Sequence, residues 1–418
     1  MTACPPSRGS AWAGRTGPYN HGVDLTRTDL QPVAFPTERT CPFNPPPKLT
    51  ELRDEHPVSR LAYPDGTDGW LVTGYAAARA VLNDPRFSSR GEHRRMAVGE
   101  GAPGPTRPGV FIFMDPPEHS RFRKLFTGEF TVRRTRNLEP KVERITADRI
   151  AAMREIGPPV DLVREFALPI PSLVICELLG VPYEDHAFFQ RHSETMLDYD
   201  RSMDEVVEAF QLMAEFLTRL VRLKRERPQD DLLSRVAASD LTDEEAAGSA
   251  MLVLTAGHET TAKMLGLGTY LLLSRPEQLA LLRKDPSLID GAVEEMLRYL
   301  SIVQFGIIRG ATQDVELEGR RIRAGEVVTV ALSAANRDGD AFQDPDALDL
   351  TRSASRHLGF GYGVHQCVGQ QLARVEMRVA FGQLIREFPG LHLAAARDEI
   401  ETTHLSSMYG VRRLPVGW

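Results

Sequence analysis

Cysteine is scarce in this chain. Four occur in 418 residues, Cys4, Cys41, Cys176 and Cys367, and their scattered positions give no paired spacing. That argues against a disulfide framework and implies a reducing compartment. No apolar run is long and clean enough to span a bilayer. The greasiest stretch, 246–273, is broken by His258, Glu259 and Lys263 and reads as a buried helix of a soluble protein. The first residues, Met1-Thr-Ala-Cys-Pro-Pro-Ser-Arg8, lack the apolar core of a signal peptide, so a cytoplasmic protein with no membrane contact is expected. A basic excess is also missing. Fifty Lys and Arg stand against 57 Asp and Glu, a formal charge of −7, which argues against nucleic acid as a partner. No internal repeat is evident.

Residues 1–35 are rich in Pro, Gly, Ser, Thr and Arg with little periodicity, and read as a flexible tail. Residues 36–418 read as one large domain. Trp70–Thr73 has the look of a short strand and Tyr75–Leu82 of a helix, while Ser88–Gly109 carries five glycines and three prolines and reads as a long loop. Thr242-Asp-Glu-Glu245 is a capping box, and the helix it opens would run to Ser274, roughly 50 Å at 1.5 Å per residue. Short strands are expected near Val315–Leu317, Val327–Leu332 and the C-terminus. The fold class is therefore mainly α with small β-sheets.

The most informative run is Phe360-Gly-Tyr-Gly-Val-His-Gln-Cys-Val-Gly369. Cys367 stands just before a stretch of helical periodicity, Gln370–Phe381, where unpaired backbone N–H groups and the positive end of the helix dipole favour a thiolate. Thiolate is the form that ligates iron and pushes electron density toward bound dioxygen. Gly361, Gly363 and Gly369 let the backbone turn and press on a flat macrocycle, and Phe360 would shield the sulfur.

This run resembles the heme-binding signature of the cytochrome P-450 (heme-thiolate monooxygenase) family. Three further segments resemble that family in the same order: Thr255-Ala-Gly-His-Glu-Thr-Thr261, Glu295-Met-Leu-Arg298, and Ala335-Asn-Arg-Asp338 followed by Asp344-Pro-Asp-Ala-Leu-Asp-Leu-Thr-Arg352. The resemblance runs from about Cys41 to the C-terminus. It implies the family's heme fold, heme b with Cys367 as the only protein ligand to the metal, dioxygen as co-substrate, and electrons from NAD(P)H through a reductase and ferredoxin. The general look is similar to the soluble actinobacterial class, and a monomer is expected.

The resemblance also distributes roles. Glu259 and Thr260 would be the acid–alcohol pair that supplies protons. Without the heme signature Thr260 would read as a threonine bonded back to its own helix. Ala256 and Gly257 would leave room for dioxygen over the iron, or would serve close helix packing. His119, Arg123, Arg309 and His365 would hold the heme propionates. By spacing alone Arg298 can pair with Glu294 or Glu295; the resemblance chooses Glu295, joined by Arg352, as a structural lock under the heme loop. His258-Glu259 is not a zinc-protease helix, because a second histidine would have to stand at Ala262.

The pocket is expected to be walled by the Ser88–Gly109 loop, the region around 188–210, Ile302–Phe305 and Met408, with Met196, Leu197, His258, Val303, Phe305 and Met408 as candidate contacts. These suit a sizeable hydrophobic small molecule. A tailoring hydroxylation or epoxidation in polyketide, macrolide or terpenoid secondary metabolism follows by analogy. Oxidative ring closure or coupling with the same cofactor, or a non-catalytic heme-thiolate sensor or carrier, are the alternatives. The basic segment Arg121–Arg144, with Lys124, Arg133, Arg134, Arg136 and Lys141, would receive an acidic ferredoxin.

Overall fold

The helix Asp243–Leu273 is the axis of the molecule. Thr242 Oγ1 accepts from the Glu245 amide at 3.1 Å and Glu245 Oε2 accepts from the Thr242 amide at 2.9 Å, which is the expected capping box. Thirty-one residues make a rod about 46 Å long. The structure is a computed structural model and describes residues 31–99, 105–197, 200–404 and 406–418.

Against this axis pack the helices Met203–Glu226 and Pro169–Leu179 and the helix Gln370–Glu387 that follows Cys367. The last of these also packs on Val132–Ile156 and on Ile289–Leu300. Apolar residues from all of these helices join in the main core cluster. A mixed six-stranded sheet stands to one side, in the order Val33–Ala34, Val58–Ala62, Asp68–Val72, Val327–Val330, Ile307–Ala311 and Phe87–Ser88. Trp70 lies opposite Val328 in a parallel pair, and Arg309 lies opposite Val328 from the antiparallel side. That register puts Arg309 in the interior.

Several expectations shift. The helix read from Tyr75 extends to Asn83, and the strand read as Val327–Leu332 stops at Val330, since Leu332 starts a short helix. The tail boundary moves: Val33–Ala34 is already a parallel strand on Leu61–Ala62, and Phe35 is buried. Residues 1–30 of the expected tail lie outside the described residues, as do 100–104 of the expected loop. The loop's far end is fixed where Ser249 Oγ donates to the Gly109 carbonyl at 3.1 Å. Cys41 is disulfide-bonded, a correction to the expectation of free thiols, because pairing follows approach in space and not spacing in sequence. Among the described residues no helix is long and apolar enough to cross a membrane.

Candidate active site

Cys367 is placed by a closed loop. Gly361 and Gly363 take positive φ of 72° and 74°, and the Cys367 amide donates to the Phe360 carbonyl at 2.9 Å. A Cβ on Gly363 would come within 2.4 Å of the Leu82 carbonyl oxygen, so its bareness serves contact with the Tyr75–Asn83 helix as well as the turn. Gly369 has a negative φ and ample room, so neither argument applies to it. Phe360 is held by the Arg374 guanidinium, 4.6 Å above its ring.

The Cys367 side chain is solvent-exposed although protein surrounds it on nearly every side, so the thiol stands on the wall of a deep hollow. Burial raises its pKa. The Gly369 and Gln370 amides and the charges of Arg123 and Arg374 pull the other way without winning. Helix N-terminus and cations therefore assist a thiolate but do not by themselves produce one. Cys176, the other free cysteine among the described residues, is wholly buried in Pro169–Leu179.

The middle of the central helix is open too. Ala256 is exposed and Thr255, Gly257, Glu259 and Thr260 partly so, in a helix otherwise mostly buried. The Ala256-Gly257 pair divides its duties. Ala256 faces open space, whereas a Cβ on Gly257 would come 2.8 Å from Ile175 Cδ1, so that glycine serves close packing of two helices. Thr260 Oγ1 donates to the Ala256 carbonyl at 2.7 Å, as a helix-interior threonine does. Glu259 lies on the wall of a second, charged cavity of about 590 Å³.

Four basic groups converge beside the hollow. The His119 and His365 rings are 4.2 Å apart. Burial first, then the charges of Arg309, His119 and Arg123, lower the His365 pKa to about 3, and His119 is lowered by burial and by Arg123 and Arg309. Arg309 is pushed down to about 10 by burial, with Asp115 opposing. Neither Arg123 nor Arg309 has a carboxylate within ion-pair distance among the described residues. A buried Arg309 and a half-buried Arg123, neither with an ion-pair partner among the described residues, beside a free cysteine on a hollow wall, fit a flat cofactor that carries two carboxylates.

Beneath lies the lock. Arg298 donates to both Glu295 oxygens at 2.7 and 2.8 Å, and both side chains are fully buried. The other Arg298 donors reach the carbonyls of Asn336, Pro345 and Ala347, and Arg352 Nε meets Glu295 at 3.2 Å. Glu294, the rejected alternative, accepts instead from Arg374 at 2.6 and 3.0 Å and meets His357 at 3.1 Å. Burial would raise its pKa, but these bonds hold it down at about 2. Sequence reading missed Glu294, His357 and Arg374 as a second buckle between the Ile289–Leu300 helix and the heme loop. It also assigned no role to Arg337, which is fully buried and donates to the Tyr299 and Phe43 carbonyls and to Asp346.

The pocket candidates scatter. Leu197 lines the charged cavity, and Val303 bridges antiparallel to Met408. Two of the other three need correction. His258 is buried, with Nε2 3.0 Å from the Leu168 carbonyl and its pKa lowered to about 4 by burial, so it packs and does not face a ligand. Met196 belongs to the main core. Phe305 is half-buried and packs edge-on against Phe35 at 6.1 Å, which leaves part of its ring free. His258 and Met196 are side chains that the core absorbed.

Fold and site together define a heme-thiolate oxygenase. The cytochrome P-450 family model matches residues 198–408. Cytochrome P-450 105C1 of Streptomyces sp is 50% identical over 393 residues, covering 94% of this chain and all of that one. Pentalenic acid synthase of Streptomyces avermitilis is 46% identical, covering 93% and 98%. The crystal structure of CYP105P1 in complex with filipin I superposes with a TM-score of 0.85 at 43% identity, covering 93% and 99%. The chain belongs to the cytochrome P-450 family, and it is a monooxygenase that uses heme, dioxygen and electrons from NAD(P)H delivered by redox partners.

Proposed function

We propose that this enzyme inserts one oxygen atom into a sizeable hydrophobic small molecule as a tailoring hydroxylation or epoxidation in secondary metabolism. The observation that carries the reading is that both the free Cys367, in its glycine-turned loop, and the mid-portion of the central helix that bears Thr260 are open in an otherwise buried interior. Relatives named for pentalenic acid synthesis and for a filipin I complex support the substrate class.

Heme, when bound, supplies the activation of dioxygen. The protein's residues do the rest. Cys367 Sγ would hold the metal, with the Gly369 and Gln370 amides beside it favouring the thiolate. Arg123, Arg309, His119 and His365 would take the two carboxylates. Thr260 Oγ1 spends its own proton on the Ala256 carbonyl, so its lone pairs face the open side and accept from a water that can give up its second proton. Glu259, on the charged cavity, renews that proton from outside.

Electrons come from a ferredoxin on the basic segment. Part of that segment is already neutralised: Arg121 pairs with Asp240 and Glu245, Arg134 with Glu129 and Asp230, and Lys141 with Glu177. Arg133 and Arg136 are exposed and carry no ion pair among the described residues, so they form the docking charge.

The test is Thr260→Ala assayed with hydrophobic terpenoid and macrolide substrates that shift the heme spin state. Binding should persist. Product per NAD(P)H should fall toward the low end of the roughly 10²–10⁴-fold worth of acid–base help, with hydrogen peroxide made instead. Parent-like coupling in Thr260→Ala would remove the relay role.

A further inference from the structure

Arg94 stands in the loop expected to wall the pocket, and no described residue answers its charge. Two other arginines flank it. Arg90 lies 3.7 Å from both Asp115 and Glu118, and Arg95 meets Asp65 at 3.2 Å. Arg94 has no ion pair and its guanidinium makes no hydrogen bond among the described residues. It is half-buried and stacks 3.9 Å above the Phe113 ring. Burial lowers its pKa, with no carboxylate opposing.

The chain on either side of Arg94 is laid along residues expected to meet the substrate. A Cβ on Gly310 would come within 2.4 Å of His93 Cβ, so the loop presses there on the strand Ile307–Ala311. A few residues later, Ala97 and Val98 share one apolar cluster with Phe305, Ile308 and Phe35. Part of the Phe305 ring remains free. Across from them Phe113 is fixed by Thr106 Oγ1, which donates to its carbonyl at 2.8 Å. Arg94 therefore joins the two arms of the loop, with one face of its guanidinium covered by a ring and its N–H edge left without a protein acceptor. Phe111, two residues before Phe113, has its ring 6.2 Å from that of His119, so this wall adjoins the hollow. Arg94 nevertheless stands apart from the groups assigned to the heme carboxylates. The charges that act on His119 and His365 are those of Arg123, Arg309, Asp115 and His119 itself.

We propose that Arg94 recognises a carboxylate on the substrate, its planar fork taking the two oxygens side by side while Phe113 and Phe305 hold the apolar body. An exposed arginine completes its donors with water. Between two apolar arms part of that water is lost, and a carboxylate replaces it with charge-assisted bonds. The substrate class narrows to hydrophobic molecules with an acidic group. The proposal rests on the reading of a hydrophobic substrate pocket and adds the group that orients the ligand in it.

The experiment uses the heme-loaded enzyme and imidazoles that carry an alkyl chain ending in a carboxylate, each matched with its methyl ester. The imidazole nitrogen binds the metal and shifts the heme absorption band, so affinity is read whatever the natural substrate. In the parent, affinity should rise with chain length in both series. At the best length the acid should bind about tenfold tighter than its ester, as one charge-assisted hydrogen bond allows. Arg94→Met keeps an unbranched apolar stem; it should bind acid and ester alike, and the ester as the parent does. Arg94→Lys, a point charge without the fork, should keep part of the preference. Equal binding of acid and ester by the parent at every length overturns the proposal while the pocket reading stands. So does a preference for acid that survives in Arg94→Met. Loss of heme from Arg94→Met also overturns it, since the guanidinium would then serve the cofactor's carboxylates. If ester affinity does not rise with chain length, the hydrophobic-pocket reading fails and this proposal fails with it.

Discussion

Arginine keeps its charge even where burial strips it of water, so a guanidinium with no ion-pair partner among the described residues is stabilised by an anion from outside the chain. Arg309 and Arg123 are in that position, and Cys367 stands in the same hollow with its thiol pushed up by burial. At the residue scale the proposed site calls for charges it does not itself supply: two negative groups for the arginines and a metal cation to draw the proton from sulfur. Cys367→Ser should therefore fold and yet lose the red-shifted absorption band that the reduced, carbon monoxide-bound enzyme shows. Cys176→Ser should keep it, because that thiol is sealed within Pro169–Leu179. A band surviving in Cys367→Ser would move the metal ligand elsewhere. The sequence made Cys367 legible through its glycine spacing. It could not make legible that Gly257 answers to Ile175 or that His258 answers to the Leu168 carbonyl, since both partners lie some 80 to 90 residues away in the chain.

The helix Ile289–Leu300 works as an anchor bar. It carries two acids in succession that point to different partners, Glu294 to Arg374 and His357, Glu295 to Arg298 and Arg352. One face thus ties the heme loop and its following helix, and the other ties the meander 336–352. Because Glu295 and Arg298 are fully buried, removing one partner leaves an uncompensated charge that costs about 3–5 kcal/mol. Glu295→Gln and Arg298→Met should each yield protein that retains little heme, whereas Glu294→Gln, whose site is partly open, should retain heme and lose a smaller share of stability. Heme content per chain and melting temperature check this, and equal heme loading in Glu295→Gln and parent would deny the bar its role. Spacing made both acids visible as candidates for Arg298. Only the position of Arg374, one helix away, decided that Glu294 was already taken. The same limit explains the misplaced start of the fold, where Val33–Ala34 is an edge strand too short to show alternation.

At the scale of the whole molecule, the two ends of the Cys367 helix meet different worlds. Its first turns lie near the surface groove lined by Arg136, Arg374 and Arg378, beside the exposed Arg133, and there electrons should enter. Reversing Arg133 and Arg136 to Glu should slow reduction by a ferredoxin and flatten its salt dependence, since exposed charges set association rate within a Debye length of about 8 Å; substrate affinity should not change. Unaltered reduction rates would place docking on another face. Further along, the same helix buries Glu376, and its Oε2 has no hydrogen-bond partner among the described residues. Burial raises its pKa from 4.5 to about 8. The sign of the consequence is fixed by linkage: the folded state holds this proton more tightly than the unfolded chain, so the stabilisation is complete below about pH 4.5 and drains away as pH rises toward 8. Glu376→Gln keeps the shape and cannot ionise. Its melting temperature relative to the parent should therefore climb by a few degrees between pH 5 and pH 8.5, whatever the offset at the acid end. A gap that stays constant across that range would mean that Glu376 ionises inside the fold with a partner, and the helix that follows Cys367 would then hold a charge at its centre.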